Sequence, residues 1–285
     1  MAEWRKLGII AGGGELPVAI AESARDAGQP YFVARIAGYA DAALNEHPGA
    51  ASDLGEFAGR VAAMKTAGCD AVVIAGQVAR VDLGKLKLDA GAMQFMQILS
   101  GAASAGDDPL LRALVQFHSD AGFQVVGAER AAPNLAAPAG VLGALSPNDR
   151  DLKDMRRGAA VVAALGPFDI GQAVAVADNL VLGVEAQEGT DGLLRRLRDL
   201  PLTVRGDESK RRGVLVKRPK PMQERRIDLP VVGLRTLEGA SAAGLAGIAV
   251  EAGGALVLQR AALVEAADRF GMFLYGFTRG EVGET

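Results

Sequence analysis

The pattern that most restricts how this chain can fold is the alternation of short apolar runs with amphipathic ones through its first half. Leu7–Ala11, Tyr31–Ala37, Ala71–Ala75 and Phe123–Gly127 read as strands. Leu16–Ala27, Phe57–Ala67 (ending at Gly68) and Pro109–Gly122 read as helices, and Val81–Ala105 holds one or two more. Strands separated by helices that end at glycine predict a parallel sheet with crossover connections. Ala131–Pro147, with Pro133, Pro138 and Pro147, reads as a linker or domain crossing. After it, Asp149–Leu165 is helical. Ala173–Ala177 and Leu180–Glu185 flank the turn pair Asp178-Asn179 and predict a β-hairpin. Gly213–Lys217 is a strand. Ala240–Ala252, Leu256–Gln259, Ala261–Phe270 and Met272–Tyr275 read as helix, strand, helix, strand. The expected organisation is α/β, with an N-terminal Rossmann-like parallel-sheet domain (1–132), a linker (133–148) and a distinct C-terminal α/β domain (149–285).

Composition narrows the function classes. Of the 285 residues 49% are hydrophobic, yet no apolar run reaches the ~18–20 residues of a membrane span. The polar start Met1–Lys6 runs straight into a strand and does not read as a signal peptide. One cysteine, Cys69, leaves no internal disulfide and fits a reducing, cytoplasmic setting. A net charge of −3 gives no general attraction to nucleic acid. With two histidines and one cysteine a zinc site has few ligands to draw on, so any metal is expected to be Mg2+ or Mn2+ on carboxylate oxygens. His118, in a helical pattern, and His47, beside Pro48, read as surface or loop histidines.

Leu7–Glu15 is a strand running into a glycine turn before a helix. Gly12, Gly13 and Gly14 could bring backbone N–H groups up to an anion, or simply make a tight turn. Pro17 stands where a dinucleotide fingerprint needs its third glycine, and the second strand ends at Arg35–Ala37 without an acidic residue, which argues against NAD. Gly76-Gln77-Val78-Ala79-Arg80 follows a strand at the sheet edge where open sheets bind ligands. Asp107 or Asp108 reads as a helix N-cap.

Two charged segments mark the second half. In Glu185–Arg196, Thr190 or Asp191 can cap a helix, and Glu185, Glu188 and Asp191 crowd a glycine turn. Three such carboxylates repel unless a cation joins them, so the segment is either a capped, salt-bridged helix or part of a metal site. Between Arg205 and Asp228, nine Lys/Arg face four Asp/Glu. A solvated basic loop is the plain reading. Cations beside carboxylates are also what phosphoryl chemistry requires.

Four motifs stand in order along the chain: Gly-Ile-Ile-Ala-Gly-Gly-Gly-Glu-Leu-Pro (Gly8–Pro17), Phe-Asp-Ile-Gly-Gln-Ala-Val (Phe168–Val174), Glu-Gly-Thr-Asp (Glu188–Asp191) and Gln-Glu-Arg-Arg-Ile-Asp-Leu-Pro (Gln223–Pro230). Together they resemble the LpxI-type UDP-2,3-diacylglucosamine pyrophosphatases of lipid A biosynthesis, over Gly8 to about Gly276. The resemblance implies metal-assisted cleavage of the UDP-2,3-diacylglucosamine pyrophosphate to UMP and 2,3-diacylglucosamine 1-phosphate (lipid X), with water attacking the sugar-side phosphorus. The family's important aspartate falls on Asp228. The other acidic position of its Gln-Asp-x-Arg-x-Asp-x-Pro motif is Glu224 here, a longer side chain whose role stays open.

The expected roles follow. Asp228, Asp191 and Lys217 are catalytic candidates, and Glu185, Glu188, Asp191 and Asp228 the metal candidates. Gly12, Gly13, Gly14, Gln77, Thr190, Lys220, Gln223 and Arg226 would contact substrate, with Lys217, Lys220 and Arg226 offsetting charge on the diphosphate. Ala240–Ala252 and Ala261–Phe270 suit either core or a lining for two acyl chains. A diacyl substrate is compatible with peripheral contact with the inner membrane. Oligomeric state, with a homodimer as one option, is not readable. The rival reading is a nucleotide-sugar or lipid-binding module without catalysis.

Overall fold

The structure is a computed structural model in which residues 3–78, 87–101, 107–221 and 224–283 are described. The first unit comprises residues up to Asn134 together with Glu224–Asp228, and the second comprises Leu135–Gln223 and Leu229 onward.

In the first unit β1 (Leu7–Ala11), α1 (Glu15–Asp26), β2 (Tyr31–Ile36), β3 (Gly49–Ser52), α2 (Phe57–Thr66), β4 (Ala71–Ala75), α3 (Ala90–Gly101), α4 (Asp107–Asp120), β5 (Gln124–Val125) and the one-turn α5 (Ala128–Ala131) follow one another. Among the described residues the strands form one sheet in the order β3-β2-β1-β4-β5, parallel at every pairing. This is the doubly wound order, in which the strand sequence reverses beside β1. Its central strand β1 is buried at every position, as a strand covered on both faces must be. Ile10, Ile36, Met64, Val72, Val115 and Phe123 build the core beneath it, and Phe57, Phe95 and Phe117 cluster between α2, α3 and α4. Strand β3 has an Ala/Gly sequence, Gly49–Ser52, too small to register as an apolar run. Residue Arg80 and the Asp107/Asp108 side chains of the expected cap lie outside the described residues.

Both histidines are interior rather than on the surface. His118, 2% exposed, bonds the Leu114 carbonyl through Nδ1 at 2.8 Å, and burial pushes its pKa down to about 4. His47, also buried, meets the Tyr31 hydroxyl at 2.7 Å.

The second unit contains β6 (Gly140–Val141), α6 (Asp149–Leu165), β7 (Ala173–Ala177), β8 (Leu180–Val184), α7 (Gly189–Leu197), β9 (Val214–Lys217), β10 (Val231–Val232), α8 (Leu234–Ala242), β11 (Gly247–Glu251), β12 (Leu256–Val257), α9 (Arg260–Phe270) and β13 (Phe273–Phe277). A mixed sheet runs β6-β13-β11-β9-β7-β8, while β10 and β12 pair separately. The strands β9, β11 and β13 are mutually parallel, and β7, β8 and β6 join antiparallel to their neighbours. Alternate residues face opposite layers. Val214, Val216, Ala249 and Phe273 pack on α6, whereas Leu215, Ile248 and Val250 pack with Leu193, Leu197, Leu237 and Leu263 of α7, α8 and α9.

Local signals explain these elements. Asn148 caps α6 by accepting from the Arg150 and Asp151 N–H groups, and Asp151 reciprocates on the Asn148 N–H. Asp178 and Asn179 both have positive φ, the primed turn that the hairpin reading required, and Asp154 accepts both of their N–H groups. One expected element is overturned. Ala240–Ala252 is not a helix: α8 covers Leu234–Ala242, Gly244 (φ +76) ends it, and Gly247–Glu251 is the fully buried strand β11. A continuous apolar run of that length reads as helix or buried strand equally well, and the glycine is what separates the two. Its Ala240, Leu245, Ile248 and Val250, and Leu263 of α9, are core.

Candidate functional site

In the first unit the turn after β1 and the turn after β4 are joined backbone to backbone. Gly13 donates to the Gln77 carbonyl at 2.8 Å and accepts from its N–H at 2.9 Å, and Gly12 donates to Ala75 O at 2.8 Å. A Cβ on Gly12 would stand 2.8 Å from Gln77 O, and one on Gly76 (φ +90) 2.6 Å from Gly13 O. These glycines are therefore needed for close approach of two loops. The N–H groups of Gly12 and Gly13 are spent on that junction, leaving Gly14, the N-cap of α1 at φ +88, as the turn's exposed member. Arg35, at the end of β2, is turned to the Leu44 and His47 carbonyls.

The segment Glu224–Asp228 belongs to this unit as well. It is a tight turn in which Ile227 and Asp228 both donate to Glu224 O at 3.2 Å, and the Ile227 side chain packs on the core that contains Ile36 and Phe123. Glu224 grips Arg226 with both oxygens, at 2.8 Å each, and that guanidinium holds the Glu224 carboxyl below the usual carboxylate range. The acidic position in this motif is thus paired with Arg226. Gln223 lies outside the described residues.

In the second unit the carboxyl ends of β9 and β11 carry buried charge on both faces of the sheet. On the α7 face stands Lys217, 4% exposed, whose Nζ donates to Thr190 Oγ1 and to the Val231 carbonyl, both at 2.9 Å. The Thr190 hydroxyl donates in turn to Glu185 Oε1 at 2.8 Å, and Glu185 Oε2 accepts the Gln172 N–H at 3.1 Å. On the α6 face Arg218 meets Glu251 at 2.9 Å with both side chains 3% exposed, and Arg279 reaches the same carboxylate at 3.4 Å. Lys220 pairs with Asp169, which adopts the left-handed conformation in the Phe168–Val174 motif. Gly171 of that motif lies so near the Glu185 carbonyl that a Cβ would come within 2.0 Å of it.

Of the two readings of Glu185, Glu188 and Asp191, the salt-bridged one describes Glu188 and Asp191. Glu188 takes Arg196 at 2.6 Å and Asp191 takes Arg235 at 2.7 Å, while Glu185 faces inward to Thr190 and Gln172. Each carboxylate has its own partner. Neither Thr190 nor Asp191 caps α7: the N-cap is Glu188, without a side-chain cap bond. Asp228 belongs to the first unit and the other three expected metal ligands to the second. Among the described residues no three His, Cys, Asp or Glu side chains come together as a ligand set. The basic stretch is likewise divided. Arg205 and Arg211 are turned to backbone carbonyls and Arg212 to Thr203 O and Asp178, leaving Lys217, Arg218 and Lys220 at the strand end.

The Arg218–Glu251–Arg279 group escaped the sequence reading. Glu251 sits in an apolar run with no charged neighbour nearby in sequence. Its signal was an acidic residue closing a β-rich run before Gly253-Gly254, where a Cβ on Gly254 would press on the Glu251 carboxylate.

Fold and edges define a two-unit α/β protein with one edge of packed glycine loops and another of buried cations held by carboxylates. Family models give this class its particular member. The LpxI N-terminal domain matches residues 6–135 and the LpxI C-terminal domain residues 138–275. UDP-2,3-diacylglucosamine pyrophosphatase LpxI of Caulobacter vibrioides is 44% identical over 272 residues, covering 95% of this chain and 97% of that protein. The chain belongs to the LpxI family.

Proposed function

We propose that this protein hydrolyses the pyrophosphate bond of UDP-2,3-diacylglucosamine, giving 2,3-diacylglucosamine 1-phosphate and UMP in lipid A biosynthesis. The observation that carries the reading is the 44% identity to a pyrophosphatase of that name, sustained over both matched domains. A non-catalytic binding module would not account for a relationship of that extent to an enzyme.

Residue roles are part of the proposal. Asp228, held in its turn by Ile227 packing, orients the attacking water and receives its proton. A water oxygen forms the new bond to the sugar-side phosphorus, and the anhydride P–O bond breaks with UMP carrying away the bridging oxygen. Lys217 and Lys220 offset the charge that grows on the diphosphate. Arg226, fixed by Glu224, presents its charge from the same turn as Asp228. Asp191 is a further catalytic candidate, and Thr190, Gln77, Gln223 and the Gly12–Gly14 turn are proposed substrate contacts. Mg2+ or Mn2+ is the proposed cofactor. Mg2+ is commonly held by one or two carboxylates and the substrate's own phosphates, which needs no preformed protein cage.

The decisive experiment is product analysis by mass spectrometry, with and without chelator. UMP and lipid X in equal amounts are expected, and intact substrate would overturn the reading. Asp228→Ala should keep the unfolding midpoint of the parent while turnover falls ~10²–10⁴-fold, the range for a positioned acid–base group. Unchanged turnover would remove Asp228 from the chemistry. Among the described residues no helix is long and apolar enough to cross a membrane. A cytoplasmic location, peripheral contact with the inner membrane and a homodimeric state are further proposals, tested by fractionation, vesicle sedimentation and light scattering.

A further inference from the structure

We propose that Glu185 is a positioning residue, which through the Thr190 hydroxyl fixes the Lys217 ammonium at the carboxyl end of β9. The inference rests on the reading that Lys217 serves the diphosphate. A hydroxyl has one hydrogen to donate and two lone pairs to accept with, while an ammonium can only donate. The contacts at 2.9 and 2.8 Å therefore have one sense, from Lys217 to Thr190 to Glu185. The carboxylate that receives the last hydrogen bond sets where the first donor stands.

Three observations support directed positioning over incidental packing. Glu185 and Lys217 are 7% and 4% exposed, so each charge is withdrawn from water and the hydroxyl between them is their link. Both oxygens of Glu185 are engaged, Oε1 by Thr190 and Oε2 by Gln172 N, which fixes the carboxylate's orientation. The chain around it is shaped for this: Gly171 (φ +54) lets the backbone pass the Glu185 carbonyl where no side chain fits. Thr190, in the first turn of α7, and Lys217, the last residue of β9, are brought together by these contacts across 27 residues of sequence. Glu188, the N-cap of α7, and Asp191, beside Thr190 in its first turn, bond to arginines instead.

The test is a mutant cycle on the full chain: Glu185→Gln, Thr190→Val, the double variant and Thr190→Ser, with kcat, KM and unfolding midpoint for each. Glu185→Gln and Thr190→Val should each lower kcat about 10- to 100-fold, the loss typical of removing an outer hydrogen-bond partner, with KM nearly unchanged in Glu185→Gln. The double variant should fall no further than the worse single one, because both break one chain. Thr190→Ser, which keeps the hydroxyl, should restore most of the activity. Losses that multiply in the double variant, a serine variant as impaired as the valine one, or parental kcat in Glu185→Gln would each overturn the proposal. A rise in the Mg2+ needed for half-maximal rate in Glu185→Gln would overturn it by returning Glu185 to the metal. Should Glu185→Gln fail to fold, the Thr190→Val and Thr190→Ser comparison still decides. Lys217→Met with parental turnover would refute the underlying reading of Lys217. A Lys217 requirement without a Glu185 effect would refute the positioning role alone.

Discussion

The two units finish their sheet edges in opposite ways. In the first, β1 and β4 end in glycine loops paired through main-chain hydrogen bonds, so the edge is drawn by backbone. In the second, β9 and β11 end in Lys217, Arg218 and Glu251, buried and held by other side chains. A backbone edge is sensitive to added volume and indifferent to charge. A side-chain edge of buried ions is sensitive to removed charge, because the partner left behind has no water to turn to.

That contrast can be broken by substitution. Glu251→Ala removes the carboxylate that meets the buried Arg218 and should destabilise the second unit by ~3–5 kcal/mol, read as a lower denaturant midpoint. A loss under about 1 kcal/mol, the exposed-pair range, would mean that water reaches the pair. In the first unit a buried charge-bearing group to test is His118. His118 is neutral in the fold, with a pKa pushed by burial to about 4 from an ordinary 6.5. Its contribution is complete above pH 6.5 and disappears as pH falls toward 4, because the unfolded chain takes up the proton first. The loss should be roughly 3 kcal/mol, and His118→Gln should flatten this acid limb when midpoints at pH 7 and 4.5 are compared. Gly76→Ala adds a Cβ against Gly13 O at positive φ and should destabilise the fold by ~1–3 kcal/mol. Gly28→Ala, also at positive φ but with nothing within 4 Å of its Cβ, should lose less, and equal losses would show that strain alone, not loop contact, governs Gly76. Smallest is Glu188→Ala, whose partner Arg196 is half exposed, at ~0–1 kcal/mol.

The same contrast explains what could be read from the sequence. The parallel sheet of the first unit was legible because Leu7–Ala11, Tyr31–Ile36 and Ala71–Ala75 are bounded by helices and glycines. The Asp178-Asn179 hairpin carried its own turn chemistry. Legibility ended where short-range pattern and tertiary context disagree. Gly247–Glu251 reads as helix until its place between β9 and β13 is known. Glu185, Glu188 and Asp191 look like one cluster because sequence spacing cannot say that Arg235, 44 positions after Asp191, will neutralise one of them. The Arg218–Glu251 pair joins residues 33 apart, so the basic stretch that holds Arg218 gives no sign of the carboxylate it will meet.

One feature of the chain's path bears on how such a protein can be rearranged. The family halves divide near residue 135, yet Glu224–Asp228, written in the second half of the gene, folds as part of the first unit. Recombination at the obvious seam would therefore deliver the Ile227 turn to a foreign core. A chimera joining two relatives at that seam must match Ile36 and Phe123 from one parent to Ile227 from the other. The segment carrying Asp228 is inherited with one half and accommodated by the other, which ties the divergence of the two halves together.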